Sequence, residues 1–324
     1  MRRLFSTAST MSNLLKVAVV GVGHLGKWHA DKFAACADCE LVAVVDSNLE
    51  VAQEIAQKHG AQAYTDFREI LPMVDAISLV VPTNWHYKIA REILEAGIHC
   101  LIEKPISETV EEAAELIEIA KRKQVVLQVG HIERFNSVMI GVKEELVAPQ
   151  FIESTRFAPF TLRATDVSVI LDLMIHDIDI ILELVDSPIS RISASGLSVL
   201  SDTIDIASAR IEFENHCVAN VTANRISQKR ERKLRIFHKD AYLSADFQSK
   251  IVAINRKGVT NNDAGFKNVE HQERQFEDND ALNLEVLDFV RAVTTDGKPT
   301  VDGEAGKRAL ETAIEITSLI TRTL

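Results

Sequence analysis

The chain has 324 residues, of which 46% are hydrophobic and 26% are charged, and its formal net charge is −11. A chain of this length can form two domains with separate cores, and the composition is typical of a globular protein with no apolar run long enough to cross a bilayer. The negative charge argues against nucleic acid or an anionic membrane surface as the main partner.

The N-terminal extension, residues 1–14, precedes the first predicted strand. It is rich in arginine, serine and threonine, and the first acidic residue of the chain is Asp31. Such a composition is found in organellar presequences, but the segment is short and weakly amphipathic, which favours an upstream start codon with Met11 as a sufficient start. We expect a cytoplasmic protein, and the sequence leaves a presequence open.

A strand, a glycine motif, a helix, a second strand and an acid follow in that order. Leu15–Val20 predicts the first strand, the motif G-V-G-H-L-G occupies residues 21–26, and a helix pattern covers about 27–35. The second strand, 40–45, ends at Asp46. A lone G-x-G-x-x-G is weak evidence, whereas this complete succession indicates a dinucleotide-binding unit.

Each glycine of the motif has a predicted role. Gly21 permits the tight turn, Gly23 lets backbone N–H groups approach a pyrophosphate, and Gly26 lets the helix pack close to the strand. Asp46 is placed to accept hydrogen bonds from the ribose hydroxyls of the adenosine, and no arginine or lysine at 47–49 is available for a 2′-phosphate. The motif therefore favours NAD over NADP.

Alternation of strands and helices continues to Gly130 and predicts a doubly wound parallel sheet. The predicted elements are a helix at 51–59, strands at 63–64 and 75–81, a helix from about 83 to 97, a strand at 97–102, a helix at 110–123 and a strand at 125–129. Pro82, Thr83, Asn84 and His86 follow a strand end, where we expect contact with the nicotinamide half of the cofactor. Thr83 or Asn84 as an ordinary helix cap is the alternative.

Lys104 stands where a strand stops. The strand ends at Ile102, and Glu103, Lys104 and Pro105 follow it. Ligands of open parallel sheets bind beyond the carboxyl ends of the strands, so this ammonium is predicted to face a ligand crevice. An ordinary turn lysine is the alternative.

Past Gly130 the pattern changes to one helix, 168–185, followed by many strands. Asp172, His176, Asp179 and Glu183 recur on one face of this helix. Periodicity alone favours a solvated polar face with a surface histidine. Strands are predicted at 189–198, 205–214, 217–225, 233–238 and 241–246, and their alternation is typical of an antiparallel sheet with one exposed face.

A basic segment lies within these strands. It contains Arg225, Lys229, Arg230, Arg232, Lys233 and Arg235. For Arg225 the sequence supports two interpretations equally: capture of an anionic substrate such as a diphosphate, and a solvated hairpin rim. For the other basic residues the solvated rim is favoured.

The tail, 283–324, predicts two helices that pack back on the body and carry no chemistry. Four scattered cysteines, Cys36 and Cys39 among them, indicate reduced thiols and no metal site.

Together these motifs resemble the Gfo/Idh/MocA oxidoreductase family from about residue 15 onward. The resemblance is carried by residues 21–26, Asp46, 82–86, 103–105 and 172–179. It implies an N-terminal Rossmann domain at 15–130, an α+β domain with an open, mostly antiparallel sheet at 131–282, and terminal helices at 283–324. It also implies a homodimer or homotetramer.

The segments 130–136, 166–176 and 220–225 resemble the branch of this family that oxidises the 3-hydroxyl of UDP-N-acetylglucosamine with NAD. Family members often have proline where this chain has Ser137. The branch implies that a separate enzyme aminates the 3-keto product on the way to lipid A. A dehydrogenase for a free polyol such as inositol and a non-catalytic NAD-binding regulator are the alternatives; the basic segment argues against the first and the Lys104–His176 pair against the second.

The resemblance assigns Lys104 and His176 as the catalytic pair with Asp172 beside them. His176 would act as the general base and Lys104 would stabilise the alkoxide. The predicted cofactor-binding residues are Gly21, Gly23, His24, Leu25, Gly26, Asp46, Pro82, Thr83, Asn84, His86, Glu103 and Lys104. The predicted substrate-binding residues are Arg134, Arg163, Asp172, His176 and Arg225.

Overall fold

A computed structural model describes residues 14–146, 148–161, 167–261 and 267–322, with the side chain of Asn261 left out. It contains a six-stranded sheet and an eight-stranded sheet. The predicted α/β class is confirmed. Within the described part of the chain, no helix is both long and apolar enough to cross a membrane.

The first sheet is wholly parallel and runs in the order β3-β2-β1-β4-β5-β6. Its strands are β1 (Leu15–Val20), β2 (Cys39–Val45), β3 (Gln62–Tyr64), β4 (Ala76–Leu79), β5 (His99–Glu103) and β6 (Leu127–Gly130). The strand order reverses direction between β1 and β4, so a crevice opens at their carboxyl ends, which is where such sheets bind ligands.

Four helices cover this sheet. They are α1 (Gly26–Ala35), α2 (Leu49–His59), α3 (Thr83–Glu95) and α4 (Val110–Lys123), and short 3₁₀ turns lie at Phe67–Glu69 and Leu71–Met73. Asn48 caps α2, and Thr109 and Glu112 form a capping box at the start of α4. Neither Thr83 nor Asn84 caps α3, because Pro82 holds the cap position and no side chain bonds there.

The second sheet is antiparallel except for the pair β7 and β10, and its order is β14-β13-β12-β11-β7-β10-β9-β8. Its strands are β7 (Phe151–Phe157), β8 (Ile189–Leu197), β9 (Ile206–Phe213), β10 (Val218–Asn224), β11 (Glu231–His238), β12 (Ala241–Asp246), β13 (Ile251–Asn261) and β14 (Lys267–Gln275). The remaining helical elements are a 3₁₀ turn (Ile132–Phe135), α5 (Ser137–Glu145), a π-helical turn (Ile170–Met174), α6 (Ile175–Val185), α7 (Ala281–Thr294) and α8 (Gly303–Thr321).

Helix α6 lies between the inner face of the second sheet and α8, and contributes Ile178 and Ile181 to one continuous core. Helix α7 packs on α1, and α8 contacts both α4 beside the first sheet and β8 of the second. The two sheets thus share a helical layer. The predicted domain boundary at residue 130 stays a prediction.

The prediction of one helix before the strands of the second half was wrong. The structure adds helix α5 and strands β7, β13 and β14. Two of these strands lack apolar alternation: β7 points Ser154 and Arg156 inward, and nearly every residue of β14 is exposed. Polar inward positions in β7 and the absence of a buried face in β14 remove the periodic signal from which a strand is predicted.

Candidate active site

The glycine motif has the backbone geometry that a bound dinucleotide requires. Gly21 has a φ of +86°, and a Cβ there would lie 2.6 Å from the Val80 carbonyl oxygen. A Cβ on Gly26 would lie 1.7 Å from the Gly21 carbonyl oxygen, so α1 can start only at a glycine. By contrast, the space around Gly23 holds no described atom within 4 Å of that position. The open side of the motif can therefore receive a pyrophosphate.

The motif opens into a cavity of about 630 Å³ along the carboxyl ends of the first sheet. Of the predicted cofactor-binding residues, the cavity is lined by Gly21, Gly23, His24, Leu25, Asp46, Pro82, Thr83, His86, Glu103 and Lys104. Gly26 lies behind the motif and Asn84 lies outside the lining. Trp85, Thr65 and Phe67 join the walls although the sequence analysis assigned them no role. The volume is within the range of cofactor and ligand sites.

Asp46 is held at one end of this cavity. Its two carboxylate oxygens accept hydrogen bonds from the backbone N–H groups of Val22 and Asn48, each at 3.0 Å. Each oxygen keeps a lone pair that can accept from a ribose hydroxyl. Lys104, at the other end, is the one lysine or arginine among the lining residues. The residues that line the cavity therefore fit an NAD(P) dinucleotide.

His86 connects two of the loops at this edge. Its Nδ1 lies 2.8 Å from the Pro105 carbonyl oxygen and its Nε2 lies 2.9 Å from that of Val81. Burial lowers the pKa of His86, so the ring is neutral and can donate to one of these two acceptors. It fixes the loop after β4 against the loop after β5, and hence helps to place Lys104.

Lys104 reaches from the end of β5 to the π-helical turn before α6. Its Nζ donates a hydrogen bond to the Asp172 carbonyl oxygen at 2.8 Å and lies 3.8 Å from Asp172 Oδ1. These contacts link the cofactor cavity to the helical segment that packs on the second sheet. The Lys104–Pro105 peptide bond is cis. π-Helical turns within helices are frequent at functional sites.

His176 follows Asp172 on the same helical segment. Its Nδ1 is buried and has no hydrogen-bond partner among the described residues, while the residue as a whole is half-buried. The accessible edge of the ring is therefore the one that carries Nε2. Burial, and then the positive charges of Lys104 and Arg156, hold the pKa of His176 well below its usual value. The imidazole is neutral near pH 7 and can accept a proton.

On the polar face of this helical segment Asp179 is buried and His176, Asp172 and Glu183 are partly buried, so the solvated face that periodicity alone favoured is not observed. Arg134 donates to the carboxylate of Asp179 through Nε at 2.6 Å and through Nη2 at 2.8 Å. Arg134 also pairs with Glu183, which Lys143 contacts at 2.7 Å. Partners from the 3₁₀ turn and α5 cover this face, and the sequence of α6 alone does not show them.

The arginines that were predicted to bind substrate lie in different places. The Arg134 guanidinium is buried in the pairs described above. Arg225 donates to Asp205 Oδ1 at 2.8 Å, to the Val167 carbonyl oxygen at 2.6 Å and to Ser201 Oγ at 2.9 Å. A direct substrate contact by either guanidinium would require breaking these bonds. Arg163 lies outside the described residues.

Sequence reasoning missed a buried charge network beside His176. Arg156 of β7 contacts Asp177 through Nε at 2.6 Å and Glu133 through Nη1 at 2.9 Å. The same Glu133 oxygen contacts Arg232 at 3.2 Å. Asp177 and Glu133 could have been identified from the sequence, since both lie in segments that carry the family resemblance. Arg156 could not, because its strand was not predicted.

A second missed group lies behind Lys104. His29 contacts Ser78 Oγ at 3.0 Å and Glu103 Oε1 at 3.2 Å. Glu285 of α7 is fully buried, and its carboxyl oxygens have no partner among the described residues. Burial and the negative charge of Glu103 raise the pKa of Glu285 well above its usual value. Ligand atoms of His29, Glu103 and Glu285 lie within 4.8 Å of one another, and a proton on Glu285 relieves the repulsion between the two acids.

Two family models match this chain. A model described as an oxidoreductase family with an NAD-binding Rossmann fold matches residues 15–131. A model described as the GFO/IDH/MocA C-terminal domain matches residues 148–244. Together they cover both sheets up to β12.

Among curated proteins, the chain is similar to the UDP-N-acetylglucosamine 3-dehydrogenase of Acidithiobacillus ferrooxidans, with 37% identity over 303 residues that cover 93% of this chain and 96% of the relative. A solved structure of that enzyme matches with a TM-score of 0.90 and 36% identity, covering 96% of this chain and 99% of that chain. The chain is also similar to the myo-inositol 2-dehydrogenase of Thermotoga maritima, with 26% identity over 318 residues that cover 91% of this chain and 93% of the relative.

Proposed function

The chain belongs to the Gfo/Idh/MocA oxidoreductase family of NAD(P)-dependent dehydrogenases, and on this premise we propose that it oxidises the 3-hydroxyl of UDP-N-acetylglucosamine to a ketone, with NAD as the cofactor. The observation that carries the proposal is the bridge from Lys104 to the helical segment of Asp172 and His176, which joins a cofactor cavity to a neutral general base. The product would be a 3-keto nucleotide sugar.

Proton removal is assigned to His176. Its neutral ring presents the Nε2 edge to the cleft, and a base of lowered pKa is in the correct protonation state at neutral pH. A nicotinamide bound in the cavity would supply the hydride acceptor. Gly23 and Asp46 would hold its pyrophosphate and ribose, and Thr83 and Trp85 would border the end nearer to Lys104.

Lys104 is assigned to the substrate oxygen. Its ammonium can donate a hydrogen bond to that oxygen and stabilise the alkoxide as the proton leaves. Asp172 holds Lys104 through its carbonyl oxygen at 2.8 Å and adds a carboxylate at 3.8 Å. Asp172 therefore positions the ammonium.

The nucleotide sugar is preferred to a free polyol for two reasons. The relative that oxidises UDP-N-acetylglucosamine is 37% identical to this chain, whereas the inositol dehydrogenase is 26% identical. The second sheet also carries Arg232, whose positive charge acts on the pKa of His176 and which an uncharged substrate would not need. The lipid A pathway, the cytoplasmic location and the homo-oligomer stay predictions from the family resemblance.

The test is NADH formation at 340 nm by the purified protein with NAD, comparing UDP-N-acetylglucosamine, myo-inositol and glucose. We expect turnover with the nucleotide sugar and at most traces with the other two. Replacing NAD by NADP in the same assay tests the assignment of the cofactor through Asp46. Turnover with myo-inositol alone would move the protein to the polyol branch, and turnover with none of the three would contradict the substrate class.

A further inference from the structure

Two arginines lie opposite each other on neighbouring strands beside the candidate active site. Arg156 of β7 and Arg232 of β11 are direct partners in an antiparallel pair. Like charges at directly opposite positions of a sheet are destabilising. The pair is therefore retained only if nearby acids, or a ligand, compensate for the repulsion.

Two acids balance the two arginines in number, but they make more contacts with Arg156 than with Arg232. Asp177 is committed to Arg156, with contacts at 2.6 Å and 3.3 Å. Glu133 Oε1 is shared, at 2.9 Å from Arg156 and 3.2 Å from Arg232. Within the described part of the chain, no other acid pairs with Arg232, whose side chain is 45% exposed. Burial and Arg156 lower the pKa of Arg232, whereas its neighbours raise that of Arg156.

The strand alternates, and this divides the basic segment into two faces. Arg232 shares the face of Leu234 and Ile236, which are buried in the core that α6 helps to form. Lys233 and Arg235 point to the opposite face, where they pair with Glu231 and Glu153. Arg232 is itself exposed, as the solvated-rim interpretation expects, but it lies on the α6 side of the sheet, whereas Lys233 and Arg235 lie on the other side.

Arg232 lies near the atoms that would react. Asp177, which follows His176 in the chain, and Glu133 connect it through Arg156 to the base. Its charge reaches His176 and contributes to the lowered pKa of that ring. In a nucleotide sugar the diphosphate is attached through the oxygen on carbon 1, two ring bonds away from the carbon that carries the 3-hydroxyl. An anion-binding group is thus needed close to the base but not in contact with it.

We propose that Arg232 binds the diphosphate of the substrate and thereby selects nucleotide sugars over free sugars, an inference that rests on the proposed function. A guanidinium can hold a phosphate through two parallel N–H bonds, and Arg232 has donors left for them. Among the arginines of the second half that the structure describes, Arg225 and Arg134 have their donors committed inside the protein, whereas Arg232 contacts only Glu133.

The test compares Arg232→Gln with Arg235→Gln, a matched control on the same strand whose side chain is 48% exposed and paired with Glu153. For Arg232→Gln we expect the KM for UDP-N-acetylglucosamine to rise about tenfold to hundredfold, as for the loss of a charged hydrogen bond. We expect kcat and the KM for NAD to change less than about twofold. Arg235→Gln should leave all three constants unchanged, and Arg232→Lys should restore part of the affinity.

Inhibition by UDP provides a second measurement that does not depend on the chemical step. The inhibition constant should rise with the KM in Arg232→Gln, while the slow turnover of free N-acetylglucosamine stays the same. An unchanged KM for the nucleotide sugar, or an equal loss with charged and free sugars, would overturn the role of Arg232 while leaving the proposed function intact. Absence of turnover of UDP-N-acetylglucosamine by the unmodified protein would instead overturn the proposed function, and the inference with it.

Discussion

His176 and Asp179 lie one helical turn apart on α6 and both face the protein interior, but their surroundings differ. Asp179 is 1% exposed and its carboxylate accepts two hydrogen bonds from Arg134. The Nδ1 of His176 is equally inaccessible and meets no donor or acceptor in the described structure. The Asp179 carboxylate has its hydrogen-bond partners within the protein, whereas the Nδ1 atom of His176 has none among the described residues.

This difference separates a group that holds the fold together from a group available for chemistry. A buried ion pair with complete partners is costly to break, because removal of one partner leaves a buried charge. A buried polar group without a partner is itself costly, and in native structures it often has a functional explanation. Four experiments test this distinction between groups that stabilise the fold and groups that are available for the reaction.

The largest expected effect is on the reaction rate. Replacement of His176 or Lys104 by alanine should lower kcat/KM for the sugar substrate by about 10²- to 10⁴-fold, because general-base catalysis and alkoxide stabilisation are lost. Steady-state assays measure the rate, and thermal melts should show that both variants remain folded. The exposed His271 of β14, changed to alanine, is the control. Unfolding of the His176 variant with loss of all structure would contradict this distinction.

Arg134→Ala should lower the stability of the fold much more than it lowers the reaction rate. Loss of the guanidinium leaves Asp179 buried without its partner, and we expect a loss of about 3–5 kcal/mol in the free energy of unfolding. The protein that remains folded should keep most of its kcat. Urea denaturation measures the first quantity and steady-state kinetics the second. Combining Arg134→Met with Asp179→Leu removes both charges, so this double variant should be more stable than Arg134→Ala.

The pH dependence of the rate should reflect the lowered pKa of His176. Its folded pKa lies below the ordinary value of about 6.5, so the reactive neutral form persists as the pH falls through 6.5 and is lost only at more acid pH. Profiles of kcat/KM against pH measure this acid limb. In Lys104→Met one positive charge near the ring is gone, so the pKa of His176 rises and the limb moves to higher pH. A limb that does not move would show that Lys104 does not act on the ring.

Glu285→Gln should have the smallest effect, a shift of a few degrees in Tm that depends on pH. The folded protein holds Glu285 neutral and the unfolded chain ionises it above about pH 4.3. Folding therefore binds a proton, and the stability of the unmodified protein falls as the pH rises from that value toward the raised pKa. Glutamine has no such proton, so the variant should gain stability relative to the unmodified protein between pH 5 and pH 8. The exposed Glu311, changed to glutamine, should show no such trend.

Local signals made the first sheet and its ligand edge predictable. The strand, the glycines, the helix and Asp46 are close in sequence, and Lys104 follows a strand end that Pro105 marks. The bounds of β1 and α4 were predicted to the residue. Short-range steric requirements, such as those at Gly21 and Gly26, determine these features.

The surroundings of α6 could not be predicted in the same way. The periodicity of α6 is the same whether its polar face is exposed to water or covered by arginines. The arginines that cover it, Arg134 and Arg156, come from other elements. Arg156 lies on a strand without apolar alternation. Glu285 lies in the C-terminal segment, for which the sequence predicts only helices that pack on the body. Long-range pairing decides burial and charge at these positions, and a single sequence does not contain that information.

Helix α8 has a consequence for the order in which the molecule is assembled during synthesis. It contacts α4 beside the first sheet and α6 and β8 in the second, so it holds the two halves in register. Both sheets leave the ribosome before this helix does, and domains generally begin to fold as they emerge. We therefore expect Lys104 and Asp172 to be held firmly together only after Gly303–Thr321 has packed. The nascent chain can acquire a dinucleotide site long before it acquires a dehydrogenase.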